Sequence, residues 1–202
     1  MKIPLFPLDV VLFPGAPLPL HIFEERYKEM IGECLRNKNE FGIVRARRDS
    51  LATVGCTAEI MSVTRRYADG RMDILCRGER RFTVESLQDE RSFFHAEVKF
   101  LPDESPSSTR QDREQCVALH LEMMELSGED VLQFPPMDLD RPIAFLLASM
   151  LPADLEFKQE LLHLDSDGKR TELLIAFYET VLPQLRLGST AAKTPPRHRR
   201  VM

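Results

Sequence analysis

Residues 4–35, PLFPLDVVLFPGAPLPLHIFEERYKEMIGECL, decide how the rest of the chain is read. The stretch holds five of the fourteen prolines (Pro4, Pro7, Pro14, Pro17 and Pro19) and changes abruptly to helical spacing at Glu24. Ile3 to Phe13 is rich in β-forming residues but interrupted by proline, which suits an edge strand or extended segment rather than a central strand. Pro14-Gly15 turns the chain, and Leu18 to Ile22 reads as a second short strand. Tyr27, Met30, Ile31, Cys34 and Leu35 then recur three and four apart. Glu24, Glu25 and Glu29 come early and Arg36 and Lys38 late, matching the helix dipole, so the spacing predicts a helix over 24–37. No nucleophile, metal cluster or phosphate loop sits in this stretch.

Outward from it, Phe41 to Val44 is a short buried strand. Val54, Cys56, Ala58 and Ile60 alternate on one face, and then Met61 and Val63 place apolar residues on the other parity, which predicts a bulge near Ile60–Met61. Asp69-Gly70 signals a type I′ hairpin turn, with Met72, Ile74 and Cys76 facing inward on the return strand and Asp73 and Arg77 outward. Phe82 and Val84 continue the sheet after Gly78-Glu79-Arg80-Arg81. Phe94, Ala96, Val98 and Phe100 give a period-two strand with His95, Glu97 and Lys99 on the opposite face. Several strands, one inserted helix and no βαβ rhythm point to a small mixed barrel.

At Pro102 the character changes to a linker-like Pro-Asp-Glu-Ser-Pro-Ser-Ser, and everything beyond it reads as helix. One helix is expected over 110–127, ended by Ser127-Gly128. Asp140 is expected to cap a second, with Pro142 in its first turn and Pro152 beyond its end. Residues 153–164 make a third. Asp165 or Ser166 caps a fourth, running through Leu173, Leu174, Phe177, Val181 and Leu185, which Pro183 kinks or ends. The expected divisions are a β subdomain over 1–103, a helical bundle over 104–187 and a disordered basic tail over 188–202.

A chain of 202 residues with 43% hydrophobic content and a net charge of −5 is globular, soluble and not built as a dedicated nucleic-acid binder. Positive and negative charges nearly balance over the first hundred residues, so nearly all the acidity lies in the second half. Cys34, Cys56, Cys76 and Cys116 are far apart and replace apolar residues in periodic patterns, as reduced core thiols of a cytoplasmic protein do. Asp9 and the prolines break any signal-peptide core, and no apolar run reaches the roughly 18 residues of a spanning helix.

Catalytic patterns are weak. Ser166-Asp167-Gly168-Lys169 matches S-x-x-K, but no S-D-N or K-T-G partner accompanies it, and Ser and Asp before a helix read as caps. His120-Leu121-Glu122 echoes the H-x-E of zinc deaminases without the required P-C-x-x-C. His21, His95, His120, His163 and His198 never approach metal-ligand spacing and read as surface or capping residues. No dinucleotide or Walker loop is present, so no cofactor is expected. Arg45, Arg47, Arg48, Arg65, Arg66, Arg77, Arg80 and Arg81 fall on or beside strands. They form either a basic patch for RNA or acidic peptides, or a solvated face paired with Glu59, Asp73, Glu79 and Glu85.

Several ordered motifs resemble the N-terminal substrate-binding domain of Lon-type ATP-dependent proteases. They are Ile3 to Gly15 (IPLFPLDVVLFPG), Pro19 to Tyr27 (PLHIFEERY), Phe41 to Val44, Val54 to Ile60, Gly78 to Phe82 (GERRF), and Leu151-Pro152 followed by Phe157 to Leu162. The resemblance spans about residues 3–187. It implies an α+β fold, a PUA-like pseudobarrel with one inserted helix followed by a C-terminal helical bundle. It also implies a non-catalytic module that recognises polypeptide, without the ATPase and protease modules that such proteases carry. On that expectation Phe13, Pro14, Leu18, Arg77 and Arg81 are the candidate peptide contacts. RNA binding through the strand arginines is the alternative.

Overall fold

The structure, a computed structural model, describes residues 1–88, 92–102, 107–128 and 137–192. In chain order these form β1 (Lys2–Leu8), β2 (Pro17–Ile22), α1 (Glu25–Asn37), β3 (Phe41–Arg45), β4 (Val54–Arg66), β5 (Met72–Gln88), β6 (His95–Phe100), α2 (Arg110–Leu126), α3 (Ala144–Met150), α4 (Leu155–His163) and α5 (Asp167–Ala192). The fold is α+β, with the strands in one mixed sheet ordered β2-β5-β4-β3-β1-β6. The long β5 pairs with β6 as well, so the pairing runs through β1, β3, β4, β5 and β6 and returns to β1.

β1 is an interior strand, not the edge strand its prolines suggested. Lys2–Pro4 pair antiparallel with β6, and Leu5–Leu8 pair parallel with β3. This hand-off accommodates both prolines. The Leu5 N–H donates to Phe94 O at 2.8 Å, on the β6 side. Alternation then puts the Pro4 nitrogen on the β3 side before that pairing starts, and the Pro7 nitrogen on the β6 side after that pairing has ended. Neither missing N–H removes a ladder bond. Both faces of β1 are covered. Ile3 and Leu5 join Val44, Phe82, Ala96 and Val98 in one core cluster. On the other face Phe6 stacks on Tyr27 of α1 with ring centroids 3.9 Å apart. Such a pair adds about 1 kcal/mol beyond its buried area. Tyr27, Met30, Ile31 and Cys34 form the buried stripe of α1, as the spacing predicted.

The β4–β5 hairpin has the expected bulge, a register shift between Ile60 and Ser62, with further shifts at Cys56/Ala58 and Val63/Arg65. Its turn differs from the expected type I′. Gly70 has φ +84° while Asp69 stays at negative φ. Gly70 N–H donates to Tyr67 O at 3.1 Å and Tyr67 N–H to Arg71 O at 2.9 Å. That is a type I turn closed by a left-handed glycine, the three-residue hairpin solution.

The chain divides into two compact units, residues 1–105 with 145–166 and residues 106–144 with 167–202. This differs from a break at 103/104, because α3 (from Phe145) and α4 group with the sheet. The α4 side chains explain it. Gln159 Nε2 donates to Val54 O at 3.0 Å, and Glu156 pairs with Arg45 at 2.9 Å and Arg47 at 2.6 Å. Asp154 caps α4 by accepting from Phe157 N–H at 2.8 Å.

In the second unit Thr109 and Asp112 form a reciprocal capping box on α2. α2 and α5 are joined by His120 Nδ1 to Tyr178 Oη at 2.8 Å and by both Glu122 carboxylate oxygens on Arg186 at 2.7 and 2.9 Å. Asp140 does not cap α3, which starts only at Ala144. Its carboxylate instead takes Arg110 at 2.5 Å. α5 runs through Pro183 to Ala192 without ending there. Pro183 and Glu179 are both exposed, so the Glu179 carbonyl that loses its helical donor faces water. Helix therefore replaces the first part of the tail expected over 188–202, and the rest, 193–202, lies outside the described residues, as does 103–106 of the linker.

Candidate functional site

The β2–β5 ladder carries Leu18 and Arg77 of the residues that the sequence singled out, with Phe13 and Pro14 just before β2 and Arg81 further along β5. Pro17 pairs with Arg77, Leu18 with Cys76, Leu20 with Ile74 and His21 with Asp73. At one end the Phe13-Pro14-Gly15 turn is fastened to β5. Gly15 N–H donates to Gly78 O at 2.8 Å and Gly78 N–H to Ala16 O at 2.9 Å. A Cβ on Gly78 would stand 2.1 Å from the Phe13 carbonyl oxygen, so only glycine allows this docking.

The turn's side chains differ in exposure. Phe13 is 1% exposed and packs on Phe145 at 5.8 Å, and Pro14 and Leu18 are half-buried. Arg81 is also internal, at 3% exposure. Its guanidinium donates to the carbonyls of Leu162 (2.9 Å), Leu164 (2.6 Å) and Pro102 (3.3 Å). Phe13 and Arg81 thus hold the sheet unit together and are unavailable to a ligand. Arg77 is exposed but engaged by Glu79 at 2.7 Å and Glu59 at 3.1 Å. Arg80 pairs with Glu40, and Arg45 and Arg47 share Glu156. The strand arginines therefore sit largely among carboxylates, although Glu40 and Glu156 replace two of the expected partners.

What the sequence reading missed lies further along the ladder, on its outward side. A cleft of about 380 Å³ is lined by Pro19, Leu20, His21, Thr64, Asp73 and Leu75, among others. One wall is polar and locked: His21 Nδ1 lies 2.5 Å from Asp73 Oδ1, and Tyr67 Oη donates to Asp73 Oδ2 at 2.9 Å. These hydrogen bonds, His21 first and Tyr67 next, hold the Asp73 carboxyl below its ordinary range. Beside it stands an aromatic row. Phe23, 59% exposed, stacks on His21 at 6.0 Å, and Tyr67 meets the same imidazole edge-on at 5.7 Å. The outward direction of Asp73 was readable, and His21 was expected at the surface. Their juxtaposition needs the β2–β5 register, which the local sequence does not encode.

The weak catalytic patterns gain nothing from the structure. Ser166 is fully buried whereas Lys169 is exposed. His120, expected on the surface, is fully buried against Tyr178, and Glu122 is committed to Arg186. All four cysteines are buried free thiols. Burial raises Cys34 to about 11 and Cys56, Cys76 and Cys116 to about 12, far from a reactive thiolate. Among the described residues no three His, Cys, Asp or Glu side chains converge as a metal site, and no helix is long and apolar enough to cross a membrane.

Comparison with known proteins places this architecture. The family described as the ATP-dependent protease La (LON) substrate-binding domain matches residues 2–179. Lon protease of Escherichia coli strain K12 is 27% identical over 206 residues, covering 93% of this chain and 26% of that protein. Lon protease of Paraburkholderia phytofirmans is 27% identical over 193 residues, covering 89% of this chain and 24% of that protein. The chain thus spans about a quarter of the length of these relatives. Among solved structures, a Lon N-terminal domain protein from Xanthomonas campestris superposes with a TM-score of 0.70 at 28% identity, covering 87% of this chain and 98% of that one. The N-terminal domain of Mycobacterium avium complex Lon protease shares the fold, with a TM-score of 0.64 at 18% identity, covering 89% and 98%. With its motifs, its mixed sheet and these matches in agreement, the chain belongs to the Lon substrate-binding domain family.

Proposed function

We propose that the chain is a non-catalytic recognition module for polypeptide, and that the outward cleft of the β2–β5 ladder receives apolar or aromatic side chains of unfolded segments. Family membership supports the ligand class. The carrying observation is the pairing of a cleft of about 380 Å³ with the exposed ring of Phe23. Leu75 and Pro19 offer apolar surface, and the Tyr67–Asp73–His21 bonds fix the wall in advance, which lowers the ordering cost of binding. The pairing circuit through β1, β3, β4, β5 and β6 supports a PUA-like pseudobarrel as the scaffold. The RNA alternative lacks a supporting observation, since Arg45, Arg47, Arg77 and Arg80 face carboxylates and Arg81 is buried.

Fluorescence anisotropy with a labelled uncharged peptide, Leu and Phe spaced by Ser and Gln, tests the reading. Phe23→Ser with Leu75→Gln is expected to weaken binding by roughly tenfold, the effect of losing about 1.4 kcal/mol of contact. No binding by the unaltered protein, or unchanged affinity in the variant, rejects the cleft as the site.

A further inference from the structure

A second cleft of the sheet unit, about 230 Å³, opens where β1, the α1–β3 connection and β5 meet; Lys2, Pro4, Lys38, Glu40, Arg80 and Phe100 are among its walls. Among the described residues that line it, three side-chain cations come from three separate parts of the chain, against one carboxylate, Glu40, which Arg80 already engages at 3.1 Å. This contrasts with the ladder, where Arg77 alone is met by two glutamates. Arg80 lies 4.0 Å over the Phe100 ring, so cation and aromatic face form one fixed corner. Lys2 and Lys38 are exposed.

Lys38 adds a second argument. It ends α1 at φ +54°, a left-handed position that helices usually fill with glycine or asparagine. A lysine there carries a backbone penalty that either of those residues would lessen, and it puts a positive charge at the rim of the cleft.

The volume falls below the roughly 300 Å³ at which small-molecule pockets begin, and suits one or two side chains. A nucleic-acid strand would need cations along several consecutive phosphates, and Arg45, Arg47 and Arg77 of the same sheet unit are each engaged by a carboxylate. We infer that this cleft binds an acidic residue of a polypeptide segment, with an adjacent apolar side chain seated on Pro4 and Phe100. The inference rests on the reading of the chain as a polypeptide binder and adds a charge preference to it.

Three labelled probes distinguish the outcomes: a Ser/Gln peptide carrying Asp, Glu and one Phe; the same peptide with Asn and Gln for the acids; and single-stranded oligouridine. The acidic peptide is expected to bind tighter than its neutral twin, with affinity that falls as salt rises. The double variant Lys2→Gln/Lys38→Asn is expected to lose roughly tenfold for the acidic peptide alone. Asparagine suits the left-handed position, and an unchanged thermal midpoint verifies folding; Arg80→Gln serves as an independent second variant. Equal affinity for the acidic and neutral peptides, or no loss in either variant, overturns the charge preference while leaving polypeptide recognition standing. Failure of both peptides to bind overturns both readings. Oligouridine binding tighter than the acidic peptide overturns the choice of ligand.

Discussion

His120 sits in the helical unit with no exposed surface and its Nδ1 2.8 Å from the Tyr178 hydroxyl. Burial lowers its pKa from 6.5 to about 4. As pH falls below about 6.5 the unfolded chain takes up a proton that the folded one refuses. The stability held by the neutral imidazole is therefore complete above that pH and drains away as pH drops towards 4. Thermal midpoints at pH 7 and pH 4.5 are expected to fall further for the unaltered protein than for His120→Gln; equal falls would remove the imidazole as the cause. The sequence placed this residue on the surface because a lone histidine in a mixed helical pattern gives no sign of its rotation about the helix. The same limit applied to Arg80 and Arg81. Alternation says that the neighbours point to opposite faces, but the bulges that shift the β4–β5 register decide which face is inside. One became a solvent-facing partner of Glu40 and the other a buried donor to three carbonyls.

Elements with local signatures were legible. α1, α2 and α4 begin and end within a residue or two of the predicted bounds, and the bulge near Ile60 follows from the parity change. β1 was not, because proline content marks an edge only when one partner spans the whole strand. Among the described residues β2 is the strand that does lie at an open edge, paired with β5 alone. Its full ladder with β5 requires that Pro17 and Pro19, two apart and so on one side, turn their nitrogens outward. The free edge is left short of donors, a known defence against strand addition by another chain. Pro17→Val with Pro19→Thr restores two outward N–H groups and is expected to promote self-association. Analytical ultracentrifugation would register this as a concentration-dependent shift to larger species, and a variant that stays at the original sedimentation coefficient would refute the guarding role.

At the scale of the whole molecule, the sequence break at Pro102 falls close to the first division between the compact units, at 105/106, and what it does not reveal is that the chain later returns to the sheet unit. The sheet unit reaches past α2 to take residues 145–166. Local composition cannot reveal a return of that kind, since Leu162 and Leu164 look like any helix end until Arg81 is seen to need their carbonyls. A fragment of residues 1–103 would leave Arg81 with one of these three acceptors and strip Phe13 of Phe145. Such a fragment is expected to lack cooperative unfolding in urea, whereas the whole chain shows it. A fragment with a sharp transition of similar midpoint would mean that α3 and α4 contribute little.

The hand-off along β1 has a consequence for the order of assembly. During synthesis β3 emerges long before β6, so Leu5–Leu8 can find their partner while Lys2–Pro4 cannot. The seam between the earliest and the latest strands of the sheet is then the one with the longest loop to close, and the costliest in chain entropy. Until it shuts, β1 is only half seated: Phe6 can already stack on Tyr27, but Ile3 and Leu5 still lack Ala96 and Val98, which leaves apolar surface open to wrong partners.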